Sequence, residues 1–320
     1  MDRPASDALP PLPAAFTALL DAVIPAEHRP MVEASYVEPK DVVVRHNPLH
    51  GTPLALAERA LGALGAEPLP GVEGVWRVPA AARAALTHHP LVGQGALAIQ
   101  GAASQAAVWA LDPKPGEEIL DLAAAPGGKT ALIAARMGNR GRIAAVEPLR
   151  ARFFRLKANL QRLGVTCAQL YLKDGTQVGR LVPQRFERVL LDAPCSSEAQ
   201  FTRLDPASWA HWSPRKVRAS AALQARLLRS AVQALKPGGV LVYSTCSLSP
   251  EENELVLDAL LRQRDDLALE ALPWPCPLPA VAGLGAWQGR PLHPDLRLAR
   301  RVLPSRWTDA FFIARLRKAG

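Results

Sequence analysis

Two of the four cysteines stand where a sulfur can do chemistry. Cys195 follows an apolar run in Leu191-Asp192-Ala193-Pro194-Cys195-Ser196-Ser197. Cys246 follows another in Tyr243-Ser244-Thr245-Cys246-Ser247-Leu248-Ser249-Pro250-Glu251-Glu252-Asn253-Glu254. One loop, one helix and one strand fit between them, so the spacing predicts adjacent strands of one sheet. A thiolate at such a strand end is a nucleophile or a metal ligand. No Cys-x-x-Cys pair accompanies them, so zinc is not indicated. Cys167 and Cys276 read as small buried apolar residues.

A third segment, Asp121-Leu122-Ala123-Ala124-Ala125-Pro126-Gly127-Gly128-Lys129-Thr130, offers a backbone cradle. It ends like a phosphate loop, yet Ala123 replaces the first glycine, and no Gly-x-Gly-x-x-Gly is present. Paired glycines at a helix start still let a ligand lie against backbone N–H groups. Acids close the strands that follow. Glu147 comes about 20 residues after the glycines, the placement of a ribose-binding carboxylate. Asp174 follows a third strand and suits an adenine amino group; Asp192 ends a fourth. Ribose, adenine and a cationic centre coexist in S-adenosylmethionine, whereas ATP would call for more positive charge near its phosphates.

Five segments have the apolar, β-branched character of buried strands: residues 118–122, 142–146, 165–172, 186–191 and 240–244. Helical patterns at 128–137, 149–163, 216–235 and 251–262 alternate with them, and 310–316 reads as a final strand. This rhythm predicts an α/β fold with a doubly wound, parallel sheet and ligands beyond the carboxyl ends of its strands. Upstream, a helix at 16–23, a strand at 42–44, a helix at 53–65 and a strand at 75–78 predict a small N-terminal α/β domain. The expected division is 1–83 and 84–320. The Pro-rich stretch 273–279 reads as a rigid loop.

The chain has 320 residues and carries 38 Lys and Arg against 29 Asp and Glu, a net charge of +9. That surplus favours a polyanionic partner. Gly and Pro number 22 and 30, too few for a low-complexity chain. The longest stretch without formal charge, 84–111, carries His88, His89, Gln94, Gln100, Ser104 and Gln105 and makes a poor membrane span. The expectation is a soluble, cytoplasmic, reduced monomer with neither metal nor membrane.

Taken in order, Asp-x-x-Ala-Ala-Pro-Gly-Gly-Lys-Thr, Asp-Ala-Pro-Cys-Ser and Tyr-Ser-Thr-Cys-Ser-Leu-x-Pro-Glu-Glu-Asn-Glu are highly specific together. The sequence resembles the S-adenosylmethionine-dependent RNA cytosine-5 methyltransferases of the Sun/nucleolar-protein (RsmB-like) family. The likeness runs from about Arg45 onward and includes Arg45-His46-Asn47, Gln100 to Ser104 and Phe311-Phe312-Ile313-Ala314-Arg315-Leu316. It implies a doubly wound, Rossmann-like sheet of the class I methyltransferase kind, and methylation of carbon 5 of cytosine in rRNA or tRNA through a covalent cysteine–cytosine intermediate. Cys246 would be the nucleophile, Cys195 would assist product release, and Asp192 would bond the ring nitrogen. In DNA cytosine-5 methyltransferases the Pro-Cys cysteine attacks instead, so the motifs alone leave both assignments open. The resemblance places S-adenosylmethionine on Ala123, Ala124, Ala125, Pro126, Gly127, Gly128 and Lys129, with Glu147 on the ribose, Asp174 near the adenine and Asp192 near the methionine part. Lys129 faces either the cofactor or the base.

Two departures stand out. Ala123 occupies a position where many members have Cys. Ser196-Ser197-Glu198-Ala199 replaces the commoner Ser-Gly-Thr-Gly, and the expectation is that this loop faces RNA. RNA selection would rest on the N-terminal residues or on a partner. The alternatives are a non-catalytic RNA-binding or assembly factor, or a cytosine-5 methyltransferase acting on DNA.

Overall fold

The computed structural model describes residues 9–273 and 277–320, so Cys276 and part of the 273–279 stretch lie outside the described residues. Strands β1 (Val42–His46), β2 (Glu67–Pro68), β3 (Val75–Val78) and β4 (Leu97–Ile99) form an antiparallel sheet in the order β2-β3-β1-β4. The helix Leu54–Gly62 covers one side, with Ala57 and Leu61 packed on Val42, Val44, Trp76 and Leu97. β4 pairs with β1 through Val44 and Ile99, and it lies C-terminal to residue 83.

The larger sheet is built on five strands: β5 (Glu118–Asp121), β6 (Arg142–Val146), β7 (Ala168–Tyr171), β8 (Phe186–Asp192) and β9 (Leu235–Thr245). They run parallel in the order β7-β6-β5-β8-β9, and their central members are apolar on both faces, as a sheet covered twice requires. The chain continues through β10 (Leu267–Glu270), β11 (Ala280–Ala282), the small pair β12 (Ala286–Trp287) and β13 (Arg290–Pro291), β14 (Arg300–Val302) and β15 (Phe311–Lys318). β15 lies antiparallel to β9, and both β10 and β14 lie antiparallel to β15. The sheet expected to be parallel is therefore mixed beyond β9. A parallel crossover needs a helix-sized connection, and β14 reaches β15 through residues 303–310 alone.

Helices cover both faces. Pro214–Ala234 and Glu254–Leu261 pack on one side with Leu120, Val189, Leu241 and Tyr243. Ser213 caps the first of these, accepting from Lys216 N at 3.2 Å, with proline in the first turn. Ala102–Leu111 and Gly128–Met137 pack on the other side with Ile119, Ile143, Leu190 and Val242. No helix among the described residues is long and apolar enough to cross a membrane.

One buried ion pair braces the loop after β9. Arg301 Nε donates to Glu254 Oε1 at 2.6 Å and Arg301 Nη1 to Leu248 O at 2.9 Å. Both side chains are buried. Removing one partner strands the other charge, so Glu254→Gln is expected to lower unfolding free energy by about 3–5 kcal/mol in urea titrations. A change below about 1 kcal/mol would show that the pair does not brace this loop.

Candidate active site

Because β7, β6, β5, β8 and β9 run parallel, Asp174, Glu147, residues 123–129, Asp192 with Cys195, and Cys246 all leave the sheet at one edge. The two sulfurs meet there. Cys195 Sγ and Cys246 Sγ are 3.0 Å apart, both half-buried and both free thiols. Parallel pairing of Asp192 with Ser244 sets their approach, since each cysteine follows that pair by two or three residues.

Two buried carboxylates tie the cysteine loops to each other. Glu198, from the Cys195 loop, accepts through Oε2 from Leu248 N (2.7 Å), Ser249 N (3.0 Å) and Ser247 Oγ (2.9 Å) of the Cys246 loop. Its Oε1 accepts from Ser249 Oγ at 2.6 Å and Trp212 Nε1 at 2.9 Å. In return Glu252, from the Cys246 loop, accepts from Ser196 N (3.0 Å), Gln224 Nε2 (2.7 Å) and Ser196 Oγ. Ala199 N closes the join by donating to Cys246 O at 3.0 Å. A buried carboxylate without donors is strongly unfavourable, and here each is surrounded by them. Ser196, Glu198 and Ala199 are therefore buried, which corrects the expectation that this loop faces RNA. A carboxylate, unlike the threonine of the commoner motif, accepts from several neighbouring donors at once.

Cys195 is held as a thiol. Its hydrogen bond with Cys246, then burial, then the charges of Cys246 and Glu252 push its pKa well above the ordinary thiol range. Burial likewise raises Glu252. Beside the sulfurs, Asp192 accepts from Lys129 Nζ at 2.7 Å through Oδ2 and from Ser244 Oγ at 2.8 Å through Oδ1. Lys129 Nζ also lies 5.2 Å from the Phe311 ring centroid.

A cavity of about 230 Å³ reaches Lys129 and Asp192, and neither cysteine is part of its lining. Its lining includes Gln100, Asp121, Ala123 to Pro126, Gly128, Lys129 and Asp192. Gly127, at φ +107°, turns the chain into the helix Gly128–Met137, whose first N–H groups point toward the loop. Glu147 is buried beyond β6, accepting from Leu149 N at 3.0 Å, with Arg152 Nε 3.6 Å away. Asp174 is exposed and caps its own turn through Thr176 N at 2.9 Å. Neither lines the cavity beside Asp192. Cys167, just before β7, is a half-buried free thiol that packs against the apolar cluster containing Ile119 and Ile143.

Sequence reasoning passed over four contributors. Asp121 ends β5 as Glu147 and Asp192 adjoin their strand ends, and burial pushes it up to about 6 despite the 2.6 Å bond from Thr130 Oγ1. Gln100 is oriented by Arg45, whose Nε donates to its Oε1 at 2.8 Å. Glu198 and Glu252 sit inside the two cysteine motifs, but their partners are remote in sequence.

A family model for 16S rRNA methyltransferase RsmB/F matches residues 108–317. The chain belongs to that family. A tRNA (cytosine(49)-C(5))-methyltransferase of Pyrococcus abyssi is 44% identical over 70% of this chain and 71% of its own length. A ribosomal RNA small subunit methyltransferase F of Salmonella paratyphi B is 43% identical over 70% of this chain and 45% of its own length, so the RsmB/F member described here spans less than half of that relative. The structure of a methyltransferase homologue from Pyrococcus horikoshii superposes with a TM-score of 0.77 at 31% identity, covering 96% of this chain and all of the other.

Two outcomes follow for this RsmB/F member. Glu198→Ala strands two backbone N–H groups and an indole N–H, so calorimetry is expected to show a loss of roughly 3 kcal/mol, with the turnover number falling more than KM rises. Unchanged stability and turnover would show that Glu198 does not clamp the two loops. Asp121, raised from 3.8 to about 6, contributes stability that is fully present below pH 4 and is lost as pH rises toward 6. Asp121→Asn is therefore expected to gain roughly 1 kcal/mol relative to wild type between pH 5 and pH 7.5. A pH-independent difference between the two proteins would contradict this.

Proposed function

We propose that this protein methylates carbon 5 of a cytosine in tRNA or rRNA, with S-adenosylmethionine as donor. The observation that carries the reading is the 3.0 Å approach of the Cys195 and Cys246 sulfurs beside the Asp192–Lys129 pair. The names of the relatives support RNA cytosine as the substrate class.

The residues at the strand edge fit the cofactor by the chemistry of their groups. Asp121 and Asp192 supply negative charge beside the cavity for a cationic ligand, and the helix beginning at Gly128 presents N–H groups to a carboxylate. Residues Ala123 to Lys129 would hold the methionine part, Glu147 the ribose and Asp174 the adenine. When bound, S-adenosylmethionine supplies an electrophilic methyl group on a sulfonium.

Carbon 5 of cytosine is a weak nucleophile until a thiolate adds to carbon 6. We assign the attack to Cys246, as the resemblance of its motif implies, with Cys195 beside it at 3.0 Å as a thiol raised by that contact and by burial. As the Cys246 sulfur bonds carbon 6, electron density moves to carbon 5 and the ring nitrogen. Asp192 would bond that nitrogen, as the resemblance implies, and the Lys129 ammonium paired with it would offset the charge developing there. Carbon 5 then takes the methyl group. A water molecule acting as base then takes the carbon 5 proton, and the electron pair it leaves reforms the ring double bond as the carbon–sulfur bond breaks and returns the Cys246 thiolate, with Cys195 assisting this release. The target base must leave its stack to reach the site.

Wild-type protein given labelled S-adenosylmethionine and total RNA is expected to label RNA. Cys246→Ala should lose more than about a thousandfold in rate, and Cys195→Ala should accumulate a protein–RNA adduct that survives denaturing gels. Label appearing only in DNA, or full activity in Cys246→Ala, would refute the reading.

A further inference from the structure

The helix Arg150–Arg162 carries Arg150, Arg152, Arg155, Lys157 and Arg162 and no acid. Its inner side is committed to the fold. Leu156 and Leu160 pack against the Gly127 turn, Arg152 Nη2 donates to Ala125 O at 2.9 Å, and Asn159 Nδ2 donates to Pro126 O at 2.8 Å. The far end is held by Arg162 Nη1 on Val92 O at 2.7 Å and by Asn47 Nδ2 on Leu163 O at 2.9 Å. The helix is thus a fixed bar from the 123–129 loop to the small N-terminal sheet.

Its outer side has no such role. Leu149 and Phe154 are 56% and 53% exposed, and Arg150, Arg155 and Lys157 are exposed beside them. None of these three cations forms an ion pair among the described residues. Phe153 meets Phe154 edge-on at 5.9 Å, and the Arg150 guanidinium lies 5.7 Å from the Phe154 centroid. An exposed ring flanked by uncompensated cations is the composition of a nucleic-acid stacking platform.

We propose that this face docks single-stranded RNA, one base stacking on Phe154 beside Arg150 and the flanking phosphates lying on Arg155 and Lys157. The assignment rests on the RNA methyltransferase reading and names part of the surface that leads substrate to that site. Stacking reads no base edge, so the platform tolerates sequence while fixing where the strand runs. Charge decides against an apolar partner, since the face offers two exposed apolar side chains and three free cations.

Fluorescence anisotropy with a labelled single-stranded RNA, repeated across salt concentrations, tests the proposal. Phe154→Ala is expected to weaken binding about tenfold, the size of one base stack removed, and to raise KM for RNA while leaving the turnover number unchanged. Arg155→Gln with Lys157→Gln is expected to reduce the slope of log affinity on log salt by about 0.7 for each phosphate no longer neutralised. S-adenosylmethionine affinity should be unchanged in both variants, which checks that they fold. Wild-type binding of RNA with unaltered affinity and slope in the variants would overturn this surface and leave the methyltransferase reading standing. Wild-type protein that binds no RNA would overturn both. Concentration-dependent self-association abolished by Phe154→Ala would make the face an interface between copies and also overturn the proposal.

Discussion

The contact between the Cys195 and Cys246 sulfurs governs everything else at this edge. Two loops from neighbouring strands must bring soft, reactive atoms to 3.0 Å without a bond between them. Thiol contacts alone are too weak to fix that distance. Glu198 and Glu252 supply the restraint by crossing in opposite directions between the loops, each meeting donors from the other side. Burying a carboxylate is unfavourable by several kcal/mol unless its lone pairs are filled. The same requirement makes the clamp specific, because any displacement of either loop would uncover a charge.

The sheet sets the stage for this join. Parallel strands deliver every acid and both cysteines to one edge, and the pairing of Asp192 with Ser244 becomes a side-chain bond at 2.8 Å that aims Asp192 at Lys129. The antiparallel strands beyond β9 have another task. β15 lies against β9 through Thr245 and Phe312, and Arg301 on β14 reaches back to Glu254 and Leu248 behind the Cys246 loop. Strands that carry no chemistry thus stiffen the loop that does.

Much of this was legible from residue order, and the failures share a cause. Strands at 142–146 and the helix at 128–137 match their predicted limits, because apolar runs and paired glycines mark them locally. The helix Ala102–Leu111 went unread. It is buried on almost every side, so it lacks the alternation of polar and apolar faces that reveals a surface helix. β4, β10, β11 and β14 are too short to carry a pattern, and their pairing depends on remote partners. Glu198 misled for a related reason. A charged residue in a loop reads as solvated, and only the fold places five donors around it.

Which sulfur bonds the pyrimidine decides between the two possible roles of the thiols. RNA carrying 5-fluorocytosine cannot lose its carbon 5 substituent, so turnover with S-adenosylmethionine should stall with the base attached to the protein. Proteolysis and mass spectrometry of that stalled species should find the nucleotide on the peptide containing Cys246. Finding it on the peptide containing Cys195, or finding no attached nucleotide, would contradict the assignment of the two thiols.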